Sequence, residues 1–147
     1  MRILFWGTPE FAVPSLRALQ EAGHAVLAVV TQPDRPAGRG QSLRPSPVKQ
    51  EAVREGRPVL QPERPRGDEF ISEIRNMKPD LSVVAAYGHI LSDEVLAAPR
   101  LGSINVHASL LPELRGAAPV NWAIIRGHTH SGVTIMRMVR ELDAGPI

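Results

Sequence analysis

A chain of 147 residues, 43% hydrophobic and 22% charged, is ordinary material for one globular domain, long enough to bury roughly 70% of its unfolded surface. The absence of cysteine excludes disulfides, thiolate nucleophiles and thiolate metal sites, and is compatible with a reducing, cytoplasmic setting. No run approaches the roughly 20 apolar residues of a membrane span, and a net charge of +2 is too small to argue for nucleic acid on its own.

The first apolar run, Arg2–Trp6, reads as a buried strand. It is too short for a signal peptide and is broken by Gly7-Thr8-Pro9, where Thr8 is expected to cap a helix beginning at Pro9. Phe11, Val13, Leu16 and Leu19 recur at helical spacing, and Gly23 closes that helix. Ala25–Thr31 is apolar almost throughout, as parallel strands covered on both faces are. From Gln32 to Pro47 prolines and glycines interrupt the chain and no periodic element fits, so the stretch reads as a long loop, a kind more often functional than a plain connector. The basic excess also sits here: between Gln32 and Lys49, Arg35, Arg39, Arg44 and Lys49 stand against Asp34 alone.

Ser46-Pro47 is expected to start a helix running to about Glu55, followed by a short strand at Val59-Leu60 and a turn region at Pro62–Gly67. Asp68 starts a helix through Ile71, Ile74 and Met77; Leu81–Ala86 is a strand that stops at Tyr87-Gly88. Ser92–Ala97 reads as a short helix, Ser103–Val106 as a strand, Ala117–Arg126 as a helix and Gly132–Met138 as a strand. Strands alternating with helices predict an α/β domain, Rossmann-like and doubly wound, with a mostly parallel sheet and helices on both faces. In such sheets ligands bind outside the carboxyl ends of the strands. Tyr87-Gly88, Asn105–His107 and Leu142-Asp143 are read as three of those ends.

In an extended chain Asn105 and His107 point to the same side, about 6–7 Å apart along the strand. An amide donor, an imidazole and the Asp143 carboxylate on one sheet edge suit a reaction that develops charge on a carbonyl oxygen, which is the chemistry of acyl transfer. Each residue alone has a blander reading. A strand-end Asn bonds a turn, a lone His is a packed structural residue, and an Asp before Gly145-Pro146 forms a turn. Their joint occurrence at adjacent strand ends favours the site. His24, His89, His128 and His130 read as solvated or packing residues, and the His128/His130 pair lacks a third metal ligand. Gly7-Thr8-Pro9-Glu10 is no dinucleotide fingerprint, and no phosphate loop ending in Gly-Lys-Ser/Thr occurs, which argues against nicotinamide and nucleoside triphosphate chemistry.

Taken together, Asn105-Val-His107-Ala-Ser-Leu-Leu-Pro112, Arg115-Gly116-Ala-Ala-Pro119 and Leu142-Asp143-x-Gly145 resemble the signature of the 10-formyltetrahydrofolate-dependent formyltransferases. Gly7-Thr-Pro-Glu-Phe11, Thr31-Gln-Pro-Asp-Arg-Pro-Ala-Gly-Arg-Gly40, Pro45-Ser-Pro-Val-Lys49 and Ala86-Tyr87-Gly88 follow the branch of that family whose acceptor is initiator methionyl-tRNA. The resemblance covers essentially the whole chain. It implies a cytoplasmic enzyme of translation initiation, with Asn105, His107 and Asp143 catalytic. It further implies folate along Ser109, Leu110, Leu111 and Pro112 and along Ala86, Tyr87 and Gly88. Arg39 is then expected near the first base pair of the tRNA, with Arg35, Arg44 and Lys49 on phosphates. No metal, covalent intermediate, membrane or protein partner is implied.

The family's catalytic domain continues past the Asp-x-Gly motif, and a linker leads on to a β-barrel domain that helps bind tRNA. The resemblance therefore implies that residues 1–147 are an incomplete formyltransferase catalytic domain. Three other readings stay open. They are formylation of a small amine such as glycinamide ribonucleotide or an amino sugar, hydrolysis of the formyl donor, and an inactive folate- or RNA-binding piece. The Pro/Arg loop favours the tRNA branch over the two enzymes.

Overall fold

The computed structural model describes residues 1–147. Its centre is a six-stranded sheet of β1 (Arg2–Gly7), β2 (Ala25–Val30), β5 (Val59–Leu60), β6 (Leu81–Ala85), β7 (Ser103–His107) and β8 (Thr134–Arg137), in the order β5-β2-β1-β6-β7-β8. The first five strands are mutually parallel; β8 runs antiparallel to β7. The expectation of a mostly parallel α/β sheet with helices on both faces holds.

Alternation along β1 shows why both faces are covered. Ile3 and Phe5 point into a cluster with Val13 and Leu16 of α1 (Val13–Glu21) and Val48 and Ala52 of α2 (Pro47–Arg54). Leu4 and Trp6 point into a second cluster with Ile71 and Ile74 of α3 (Asp68–Asn76) and Val95 of α4 (Asp93–Leu96). All four β1 side chains are fully buried. Each such burial contributes roughly 1.5–3 kcal/mol, against ~1 kcal/mol or less for an exposed ion pair, so apolar layering determines the architecture. The single polar atom of Trp6 is satisfied: its indole N–H donates to Ser82 Oγ at 3.0 Å.

Three local expectations are corrected. Thr8 caps no helix: a 3-10 turn (Glu10–Ala12) precedes α1, and the Thr8 hydroxyl instead donates to the Tyr87 carbonyl at 2.8 Å. The stretch from Gln32 to Pro47 is not wholly irregular, because β3 (Arg35–Ala37) and β4 (Ser42–Arg44) pair as an antiparallel hairpin. Finally, β8 is antiparallel, so its carboxyl end lies beside Ile104 and its start, Thr134, beside His107. Asp143 is therefore not at a carboxyl strand end. The chain turns back after β8, with the Arg137 amide donating to the Pro146 carbonyl at 2.8 Å, and Asp143 sits on the returning limb with φ 50°. The Ser46 cap is as expected: its hydroxyl accepts from the Lys49 amide at 3.0 Å at the start of α2.

Candidate active site

The topological switch lies between β1 and β6, and the hydrogen bond from Thr8 to Tyr87 spans it. One strand further, Asn105 is level with Val84, and His107 leaves the same carboxyl edge two residues on. Across β8 the partners of these two residues are Met136 and Thr134, both buried. Asn105, His107, Met136 and Thr134 thus share one face of the sheet.

His107 is buried at 6% exposure, with an oxygen at each ring nitrogen. Its Nε2–H donates to the Leu114 carbonyl at 2.8 Å, and Nδ1 faces Asp143 Oδ1 at 3.7 Å. The other carboxylate oxygen, Asp143 Oδ2, accepts from the Gly116 amide at 2.6 Å. Asp143 is itself buried, at 7% exposure. The half-buried Asn105 amide is left unengaged by the hydrogen bonds of this corner, which run from His107, Ser109, Leu111, Gly116 and Thr134.

Thr134 ties the next turn to the sheet: its hydroxyl donates to the Ser109 carbonyl at 2.7 Å and accepts from the Leu111 amide at 3.0 Å. Ser109 is fully buried, and its own hydroxyl donates to the Glu113 carbonyl at 2.6 Å. Leu110 is exposed, and Leu111 joins Pro112 through a cis peptide. Beyond β6, Ala86 has φ 50° and Gly88 has φ 94°, on either side of a Tyr87 whose ring is buried against Trp6 at 5.3 Å between centroids. Burial pushes the Tyr87 hydroxyl up to about 12, and that hydroxyl has no hydrogen-bond partner. Ala86, Leu114, Ala118 and Asp143 all hold positive φ without being glycine, a conformation that clusters where surrounding structure imposes it.

Of the four cationic residues read in the loop, Arg35, Arg39 and Arg44 are exposed on or beside the hairpin. Lys49 is different: its ammonium donates to Asp34 Oδ2 at 2.8 Å, and Gln61 donates to Asp34 Oδ1 at 2.8 Å. The Lys49 and Gln61 hydrogen bonds together hold the Asp34 carboxyl below the usual carboxylate range. Lys49 is thus a half-buried anchor at the loop base, not a free cation. Of the other histidines, His24 meets the N-terminal ammonium at 3.2 Å and His128 lies 3.8 Å from Glu113, while His89 packs against Tyr87 with ring centroids 5.5 Å apart.

Sequence reasoning missed the Leu114 carbonyl, the Gly116 amide and Thr134. For Thr134 a signal existed, since Thr134 and Met136 alternate with Ile135 and Arg137, placing a hydroxyl on the face that looks inward. The backbone groups leave no trace in side-chain identity.

The fold is thus a doubly wound α/β sheet with an imidazole–carboxylate pair and a free amide at the carboxyl edge of its parallel strands. A family model described as "Formyl transferase" matches residues 1–147. Among curated relatives, the methionyl-tRNA formyltransferase of Sulfurihydrogenibium sp. is 54% identical over 148 residues, covering 100% of this chain and 48% of that protein. The methionyl-tRNA formyltransferase of Bacillus subtilis is 58% identical over 144 residues, covering 98% of this chain and 45% of that protein. The solved phosphoribosylglycinamide formyltransferase from Bacillus halodurans superposes with a TM-score of 0.77 over 99% of this chain and 76% of that one, at 21% identity, a likeness of fold. The chain belongs to the formyl transferase family, and it spans about half the length of the curated relatives it matches.

Proposed function

We propose that the protein transfers the formyl group of 10-formyltetrahydrofolate to the α-amine of methionine carried on initiator tRNA, in the cytoplasm. The observation that carries this reading is the buried His107–Asp143 pair beside an unengaged Asn105 amide, in a chain more than half identical to curated methionyl-tRNA formyltransferases.

The amine must attack as the neutral base, which is accessible to an α-amino group with a pKa near 8. Its nitrogen bonds to the formyl carbon while the carbonyl becomes an oxyanion. Asn105 donates to that oxyanion, and so does His107 once its Nε2–H exchanges the Leu114 carbonyl for the developing charge. Asp143, whose carboxylate faces Nδ1, holds the ring in orientation. Collapse breaks the bond from carbon to N10 of the folate, and a proton from the attacking nitrogen ends on N10. Exposed Leu110 and Ile90 offer apolar surface beside the two turns assigned to the folate. Arg35, Arg39 and Arg44 face the acceptor stem, where phosphate contacts position the RNA without reading its sequence.

The test is an acceptor competition on the full-length protein. With 10-formyltetrahydrofolate as donor, initiator methionyl-tRNA is expected to be formylated while glycinamide ribonucleotide is not. Formylation of the small amine alone, or release of formate with no acceptor, would overturn the proposal.

A further inference from the structure

The two turns proposed to hold donor and RNA are joined by one side chain. Gln32 follows β2 and Thr31, and its amide is used at both ends. Its Nε2 donates to the Tyr87 carbonyl at 3.0 Å, beside the Thr8 hydroxyl on the same acceptor. Its Oε1 accepts from Arg35 Nη2 at 3.2 Å, at the first residue of the β3–β4 hairpin. The Gln32 carbonyl accepts from Gln61 Nε2 at 3.2 Å, and the same Gln61 nitrogen donates to Asp34. Thr31 and Ser46 close the excursion with a hydroxyl–hydroxyl bond of 2.7 Å.

Gly88 belongs to the same device. A Cβ there would fall on Gln32 Nε2, so the turn and the glutamine occupy adjoining space and a side chain at 88 would displace the amide. Its φ of 94° is also a conformation that side chains rarely adopt. The base of the cationic hairpin and the turn Ala86–Gly88 therefore rest on a common hydrogen-bonded seat.

We propose that Gln32 is a positioning residue that couples the hairpin to the Ala86–Gly88 turn, so that RNA on one raises folate affinity at the other. This rests on the functional reading above. A group shared between two sites carries coupling energy, and the coupling is reciprocal. Ordering Arg35 against RNA orders the Gln32 amide, and with it the Tyr87 carbonyl it holds.

The experiment titrates tetrahydrofolate into the full-length protein with and without initiator tRNA, for wild type, Gln32→Leu and Gln32→Glu. Gln32→Leu removes both bonds; Gln32→Glu keeps the acceptor for Arg35 and loses the donor to Tyr87. In the wild type tRNA is expected to tighten folate binding about 3-fold or more. In both variants the ratio is expected to fall to about one, with melting temperatures close to wild type. A merely structural role would lower the melting temperature and leave the ratio intact. A wild-type ratio of one, or a ratio preserved in both variants, overturns the coupling while leaving formyl transfer standing. Absence of folate and tRNA binding in the wild type overturns both.

Discussion

Asp143 serves His107 and Gly116 at once, with Oδ1 3.7 Å from His107 Nδ1 and Oδ2 accepting the Gly116 amide at 2.6 Å. One buried carboxylate thus ties β7, the Leu111–Gly116 turn and the limb returning from β8 into a single corner. Removing either end of this arrangement is expected to be felt at the chemistry.

Asn105→Ala and His107→Ala in the full-length protein should each lower kcat by at least ~10²-fold with little change in folate affinity, as loss of an oxyanion donor does. Asp143→Asn should keep the Gly116 contact through its amide oxygen while losing the charge opposite His107. Single-turnover rates separate these effects from binding, and near-normal turnover in the His107 variant would refute the mechanism.

A methyl group at residue 145 has nowhere to go. The Cβ of Gly145→Ala would land on the Arg137 carbonyl oxygen, which is backbone and cannot rotate away. The returning limb must then leave β8 and carry Asp143 off His107. We expect a lowered melting temperature together with a loss of turnover comparable to that of Asp143→Asn. Wild-type turnover in Gly145→Ala would separate the limb from the site.

Glu51 sets an acid limit on stability. It is buried on α2 and receives Arg17 at 2.9 Å and Arg54 at 2.6 Å, and these hydrogen bonds lower its carboxyl to about 2. A folded pKa depressed below the unfolded value contributes stability that is present above the unfolded pKa and is lost as pH falls through the folded one. The window runs from about 4.5 down to about 2. Urea midpoints of wild type and Glu51→Gln should differ most near neutrality and converge by about pH 2. A gap that stays constant with pH would remove Glu51 as the cause.

Tyr87→Phe removes a buried hydroxyl that bonds to nothing, while the ring packed on Trp6 and the carbonyl used by Thr8 and Gln32 remain. Its thermal stability should be unchanged or higher, by about 1 kcal/mol. Unaltered folate affinity in the same variant assigns the Tyr87 contribution to its backbone; a loss of affinity assigns it to the hydroxyl.

The arginines of the hairpin and Lys49 of α2 should separate. Arg39→Ala should weaken discrimination between initiator tRNA and a variant with a strong first base pair, and reduce the slope of log affinity against log salt by roughly one or less. Lys49→Ala should act differently because Lys49 is paired with Asp34. It frees a carboxylate at the loop base and should weaken all tRNAs alike. Equal effects on the initiator and the variant in Arg39→Ala would reduce the hairpin to a general phosphate contact.

Much of this protein was determined locally and could be read from sequence. Apolar runs such as Arg2–Gly7 and Leu81–Ala85 form strands buried on both faces, and Ser46-Pro47 starts a helix through a cap three residues long, because these preferences act within one element. The pairing of Asn105 with His107 was legible for the same reason, since a two-residue period puts both on one side of a strand. Tertiary structure decided the rest. Nothing in Gly132–Met138 announces that β8 runs antiparallel, because strand direction depends on how the chain closes around the sheet edge. Thr8 became a cross-strand donor in place of a cap once Tyr87 offered a buried carbonyl. Lys49 pairs with Asp34, fifteen residues away in sequence, because the excursion between β2 and α2 brings the start of α2 back to it. The partners of His107 and Asp143 that sequence could not name are the Leu114 carbonyl and the Gly116 amide. Every residue carries such groups, so side-chain identity is silent about them, and only the path of the backbone brings them to a site.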